Sequence, residues 1–95
     1  MIICCGEALI DMLPRELGGG EDVLLPVAGG AVFNTAIGLG RLGEDVGFVS
    51  GLSTDMFGDL LVEALAQSGV KSEYAARIDN PTTLAFVKLV DGNAQ

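Results

Sequence analysis

Three kinds of residue in this chain have the types and spacing to hold a small polar molecule. The first is the run Ala28-Gly29-Gly30-Ala31-Val32-Phe33-Asn34-Thr35-Ala36, where paired glycines lead from an extended run into a helical pattern. Bare backbone at a helix start leaves N–H groups free for an oxygen-rich ligand. The second is Asn34, in the first turn, whose amide both donates and accepts hydrogen bonds. The third is Asp11, read as closing the first strand. In an open parallel sheet, ligands bind beyond the carboxyl ends of the strands. A carboxylate there accepts from hydroxyls and repels anions, so the trio suits a polyol. Taken singly, each has a plainer reading: Asp11 as a turn aspartate, Asn34 as an exposed polar residue, the glycines as a tight turn.

A second glycine pattern, Gly38-Leu39-Gly40-Arg41-Leu42-Gly43, matches the GxGxxG of dinucleotide sites. Its position excludes that role. The fingerprint must follow a strand and open a helix, and here it closes a helix and precedes a strand. The carboxyl end of a helix carries negative partial charge, which is wrong for phosphate. Close packing at Gly38 and Gly40, with Gly43 as helix stop, is the expected use.

Composition narrows the classes. The chain has 95 residues, 49% of them hydrophobic, enough for one domain with a modest core and too apolar for a disordered tail. Five Lys+Arg against a formal charge of −8 leave no cationic cluster for nucleic acid, so none is expected as a partner. No run approaches the roughly 18 apolar residues of a membrane span, so no membrane partner is expected. The apolar N-terminus has no preceding basic residue and is a poor signal peptide. There is no histidine, and the adjacent Cys4 and Cys5 have no metal-site spacing. Both read as reduced core residues, with a cytoplasmic location following.

These residues need elements to carry them. Residues 1–10 read as one strand buried on both faces, interrupted by Gly6 and Glu7. Pro14 and the triplet Gly18-Gly19-Gly20 mark a mobile loop. Residues 23–27 suit an edge strand, since Pro26 interrupts them. A helix follows over 31–42, with Phe33, Ala36, Ile37 and Gly40 on one face, then a strand over 46–52. Ser53 or Thr54 caps a second helix with Asp55 in its first turn. Phe57, Leu60, Leu61, Ala64 and Leu65 form its apolar stripe, Gly69 stops it and Val70 closes back on it. Residues 75–78 and 84–90 are further strands, with Asp91-Gly92 as a hairpin turn. Phe86, at mid-strand, is by default a core or strand-pairing residue. A strand–helix–strand order with so few strands calls for more βα units, so the chain is expected to be the N-terminal part of a longer one.

Taken in order, these motifs resemble the ribokinase/PfkB family of carbohydrate kinases along the whole chain. Gly6-Glu7-Ala8-Leu9-Ile10-Asp11 is similar to the family's first strand. Ala28 to Ala36, followed by Arg41-Leu42-Gly43, is similar to its N-terminal signature. Asp55-Met56-Phe57-Gly58 resembles its next helix start, and Pro81-Thr82-Thr83 the approach to a lid strand. Within the family, the first strand, Pro81-Thr82-Thr83 and Leu84-Ala85-Phe86 lean toward members acting on fructose. Kinases for 2-keto-3-deoxygluconate tend to carry tyrosine where Ala85 stands. Ser53, where the family usually has glycine, is a departure expected to alter only a local turn.

The resemblance implies an α/β, ribokinase-like, Rossmann-type three-layer fold with a small β-sheet lid, of which these residues form the N-terminal part. It implies a single sugar-kinase domain, with lid segments at about 13–28 and 83–95. It implies that Asp11, Gly30 and Asn34 hold sugar hydroxyls, that Gly29 lines the site and that Phe86 adds an apolar contact. It implies ATP and Mg²⁺ as cofactors, bound mainly outside these residues, a sugar substrate, and a homodimer through the lid by analogy. The family's catalytic base lies in a Gly-Ala-Gly-Asp segment that is absent here, and Gly58-Asp59 sits inside a helix and is no substitute. The 95 residues alone are therefore expected to be catalytically inactive. The competing expectations are a kinase for 2-keto-3-deoxygluconate or a nucleoside, and a non-catalytic sugar-binding module of the same fold.

Overall fold

Glycine, proline and turn residues cut the apolar runs into more pieces than their hydropathy suggests. The computed structural model describes residues 1–90 and 93–94. In chain order these are β1 (Ile2–Cys5), β2 (Leu9–Glu16), β3 (Asp22–Gly29), α1 (Ala31–Arg41), β4 (Val46–Val49), β5 (Gly51–Ser53), α2 (Met56–Gln67), β6 (Ala76–Ile78), β7 (Leu84–Phe86), β8 (Leu89–Val90) and β9 (Asn93–Ala94). The Asp91-Gly92 turn lies outside the described residues, while β8 and β9 pair antiparallel on either side of it.

Parallel strands and two helices make the body. β1 pairs with β4, and β5 with β6, both parallel. Lys71 continues the second pairing along β4, exchanging backbone bonds with Val46 and Phe48. The core lies between these strands and the helices. Phe33 of α1 meets Phe48 of β4 edge to face, with ring centroids 5.6 Å apart. Leu61 and Leu65 of α2 and Leu52 of β5 are buried with them. Each helix ends by a local device. Gly43 and Gly69 take positive φ just past α1 and α2. Glu44 and Val70 then donate backbone bonds to Leu39 and Leu65, closing both last turns.

A separate three-stranded sheet, in the order β3-β2-β7, projects from this body. β2 and β3 are antiparallel, β2 and β7 parallel. Only the root of this sheet is buried: Ile10, Met12 and Gly29 are covered, while Leu24, Leu25 and Val27 are exposed.

Several expectations change. The single strand over 1–10 is two strands in two sheets. A Cβ at Gly6 would lie 2.8 Å from Val32, so the chain turns there against the first turn of α1. β1 is not buried on both faces: Ile2, Ile3 and Cys5 are exposed and only Cys4 is covered. Cys5 is therefore not a core residue. Asp11 does not end a core strand, but is the third residue of β2 in the projecting sheet. Pro14 is part of β2, and the loop is a closed turn in which Leu17 donates to Glu21 and Gly20 to Leu17, each at 2.8 Å. The strand over 46–52 breaks at Ser50, and that over 84–90 breaks after Phe86. Gly40 is packed, since a Cβ there would overlap the Ser68 carbonyl, but Gly38 faces open space.

The prolines fit the ladder phase. The Ile10 N–H donates to Thr83 O, and Met12 O accepts from Val87 N–H, so alternate residues of β2 face β7. Pro14 is in phase with them and falls beyond the end of β7. Pro26 pairs with Met12, so its missing N–H faces the open edge of β3.

Candidate sugar-binding corner

The corner forms where the projecting sheet returns to the body. Gly29 ends β3 and Gly30 is the N-cap of α1, at φ 110° and ψ 137°. Only glycine adopts that φ freely. A Cβ on Gly30 would also stand 2.8 Å from the Glu7 carbonyl oxygen. Gly29 has a different reason to be glycine: a Cβ there would overlap Asp11 Oδ2. The Asp11 carboxylate thus lies directly on bare Gly29 backbone. Asp11 is half-buried and Asn34 exposed.

α1 begins without a side-chain cap and without an acidic residue in its first turn. The first intrahelical bond runs from Asn34 N–H to Gly30 O at 2.8 Å. The N–H groups before it lie at the positive end of the helix dipole. Among the described residues, no side-chain hydrogen bond engages Asp11 or Asn34. The corner therefore offers a carboxylate acceptor, an amide with both functions and bare backbone. Hydroxyl groups match that set, because each both donates and accepts.

The structure brings Asp11, Gly29 and Gly30 together and sets Asn34 one helical turn further on. Phe86 stands apart from them. It pairs with Met12, while Ala85 pairs with Asp11. Paired residues share a face and neighbours alternate, so Ala85 flanks Asp11 and Phe86 points to the other side. Phe86 is 67% exposed.

The second helix start differs from expectation too. Asp55 is itself the N-cap of α2 and accepts from Gly58 N–H at 2.7 Å. Ser53 belongs to β5 and is buried; its hydroxyl accepts from Asp55 N–H at 3.0 Å. Asp55 also takes two hydrogen bonds from Thr82, at 2.6 and 2.9 Å. Those bonds, with the Thr82 hydroxyl foremost, hold its carboxyl well below the usual carboxylate range. This contact was missed from sequence: Asp55-x-x-Gly58 signals a cap, but nothing local names a partner 27 residues away.

A cavity of about 190 Å³ lies beside this contact, lined by Glu7, Ala8, Ser53, Thr82 and Thr83 among others. A more open cleft of about 370 Å³ adjoins Asp55, Asp79 and Asn80. Neither includes Asp11 or Asn34. Among the described residues no group of three or more acidic, cysteine or histidine side chains is arranged to hold a metal ion. No helix among them is long and apolar enough to cross a membrane.

The chain belongs to the pfkB family of carbohydrate kinases, whose family model matches residues 1–95. It is 55% identical over 94 residues to a fructokinase of Rhizobium leguminosarum bv. trifolii, covering 99% of this chain and 29% of that protein. The crystal structure of fructokinase from Xylella fastidiosa superposes with a TM-score of 0.88 at 44% identity, over 99% of this chain and 30% of that one. A structure of the Xylella fastidiosa enzyme with bound ATP matches at TM-score 0.83 and 46% identity, over 90% of this chain and 28% of that one. The fold is accordingly ribokinase-like in part, and this chain spans about 30% of the length of these relatives.

Proposed function

We propose that these residues form the sugar-binding part of an ATP-dependent carbohydrate kinase, with fructose as the sugar. The observation that carries the reading is the Asp11 carboxylate lying on Gly29 beside the uncapped start of α1. The names of the relatives support fructose.

In this reading sugar hydroxyls donate to Asp11, exchange hydrogen bonds with Asn34, and approach the backbone at Gly29 and Gly30 because no Cβ stands in the way. Hydrogen bonds to a charged acceptor are stronger than neutral ones, so Asp11 is the main anchor. The β3-β2-β7 sheet, made of Leu9–Glu16, Asp22–Gly29 and Leu84–Phe86, acts as a lid that excludes water from the acceptor hydroxyl. Phe86 keeps a place in the lid, on the face away from Asp11. Phosphoryl transfer needs a base for the hydroxyl proton and positive charge around the moving group. ATP and Mg²⁺ supply the phosphoryl group and part of that charge. The base is assigned to a Gly-Ala-Gly-Asp segment that these residues do not contain, so they are inactive alone. The protein works in the cytoplasm, and exposed Leu24, Leu25 and Val27 support a homodimer through the lid.

A substrate panel with the full-length protein and ATP tests the reading. Phosphorylation of fructose well ahead of 2-keto-3-deoxygluconate and nucleosides is expected. Turnover of only an acidic sugar overturns fructose, since such a substrate wants a cation and this corner has none. Sugar binding without turnover identifies a non-catalytic module instead.

A further inference from the structure

The Asp55 carboxylate does more than cap a helix. Its Oδ1 accepts from Gly58 N–H at 2.7 Å and from the Thr82 hydroxyl at 2.6 Å, while Oδ2 accepts from Thr82 N–H at 2.9 Å. A cap needs only one such bond. The other two grip a single residue at two points, which fixes both its position and its rotation. On the body side Asp55 is held in turn, through its own N–H, by the hydroxyl of buried Ser53 at 3.0 Å.

What Thr82 leads to gives the grip its meaning. The next residue, Thr83, accepts from Ile10 N–H at 3.0 Å through its carbonyl oxygen. Leu84, Ala85 and Phe86 then pair with Ile10, Asp11 and Met12. Val87 N–H closes the run on Met12 O at 3.2 Å. The approach to β7 borders the 190 Å³ cavity, which Thr82 and Thr83 line together with Glu7 and Ala8. Two hydrogen bonds to Asp55 fix Thr82 at the edge of that cavity. A body helix thus holds one end of a strand that borders Asp11.

Resting on the sugar-kinase reading above, we propose that Asp55 and Thr82 form a clasp that sets the position of lid strand β7, and through it of Asp11, for sugar binding. Neither residue touches the sugar; both are positioning residues. The proposal adds a third tie between lid and body, besides the Gly6–Ala8 turn and the Gly29-Gly30 corner.

Asp55→Asn separates the two jobs of the carboxylate. An asparagine keeps Oδ1 as acceptor for Gly58 but puts an amide N–H₂ opposite the Thr82 N–H, donor against donor. Thr82→Val removes the hydroxyl alone, and Thr82→Ser keeps it. In the full-length kinase, Asp55→Asn is expected to raise the fructose KM about tenfold, the scale of one charge-assisted hydrogen bond. The kcat and the ATP KM stay within about twofold, because the loss is in sugar positioning. Thr82→Val shifts KM in the same direction and Thr82→Ser restores it. Amide hydrogen exchange, read without sugar, should quicken at residues 82–87 in Asp55→Asn and stay unchanged at the start of α2. Unaltered exchange at 82–87 with an unaltered fructose KM overturns the clasp. So does a fall in kcat and Tm with both KM values raised alike, which marks a merely structural residue. A wild-type protein that phosphorylates no sugar overturns the preceding reading instead, and the exchange measurement still decides the clasp.

Discussion

The body and the projecting sheet are built by different means. In the body, Phe33, Ala36, Phe48, Leu61 and Leu65 are almost wholly buried, and both helices close on glycine stops. In the sheet, side chains of β3 face solvent on both sides, and burial stops at the root with Ile10 and Met12. Packing holds the first region, while backbone pairing and a few polar ties hold the second. The candidate site sits on the seam, taking a rigid helix start from one and Asp11 from the other. Such a division suits a lid, since ligand-gated elements come from the less stable end of a structure.

Substitutions test that contrast, taken from the largest effect downward. Phe48→Ala removes one ring of the buried edge-to-face pair and should cost about 3–5 kcal/mol of stability, read by denaturant unfolding of the full-length protein. Gly30→Ala acts at the seam. It forces a side chain onto φ 110° and against Glu7 O, an expected loss of about 1–3 kcal/mol together with sugar affinity. Leu17→Ala, in the turn at the tip of the sheet, should stay within about 0.5 kcal/mol of wild type. A Leu17→Ala loss as large as that of Phe48→Ala would show that the tip of the sheet is packed against something and is no free lid. Acid titration sharpens the contrast further. The folded-state pKa of Asp55 is depressed, so its contribution is complete above the ordinary aspartate value of about 3.9 and is lost as pH falls below it. The stability gap between wild type and Asp55→Asn should therefore be flat from pH 5 to 8 and narrow at lower pH, as thermal unfolding would record.

Local chemistry was readable from sequence and long-range pairing was not. Gly43 and Gly69 stop their helices as expected, because a C-terminal stop depends on neighbours in the chain. The helix bearing Asn34 begins where the paired glycines end, for the same reason. The apolar run 1–10 misled, since hydropathy does not say which sheet a strand joins. Gly6 was visible as an interruption, but Val32 pressing on it was not. Phe86 and Ala85 are adjacent in sequence, and only the register of β7 on β2 decides which one flanks Asp11. Asp55 was seen as belonging to a helix start, yet its role as cap and its grip on Thr82 needed the fold.

The account turns on Asp11 as the anchor for sugar hydroxyls. Its most direct test is the steady-state kinetics of Asp11→Asn in the full-length protein, with fructose and ATP varied separately. Loss of a charged acceptor predicts a fructose KM about 10- to 100-fold higher, with the ATP KM unchanged. A raised ATP KM with an unchanged fructose KM would contradict it, and would move the sugar away from the corner that Asp11, Gly29 and Gly30 form.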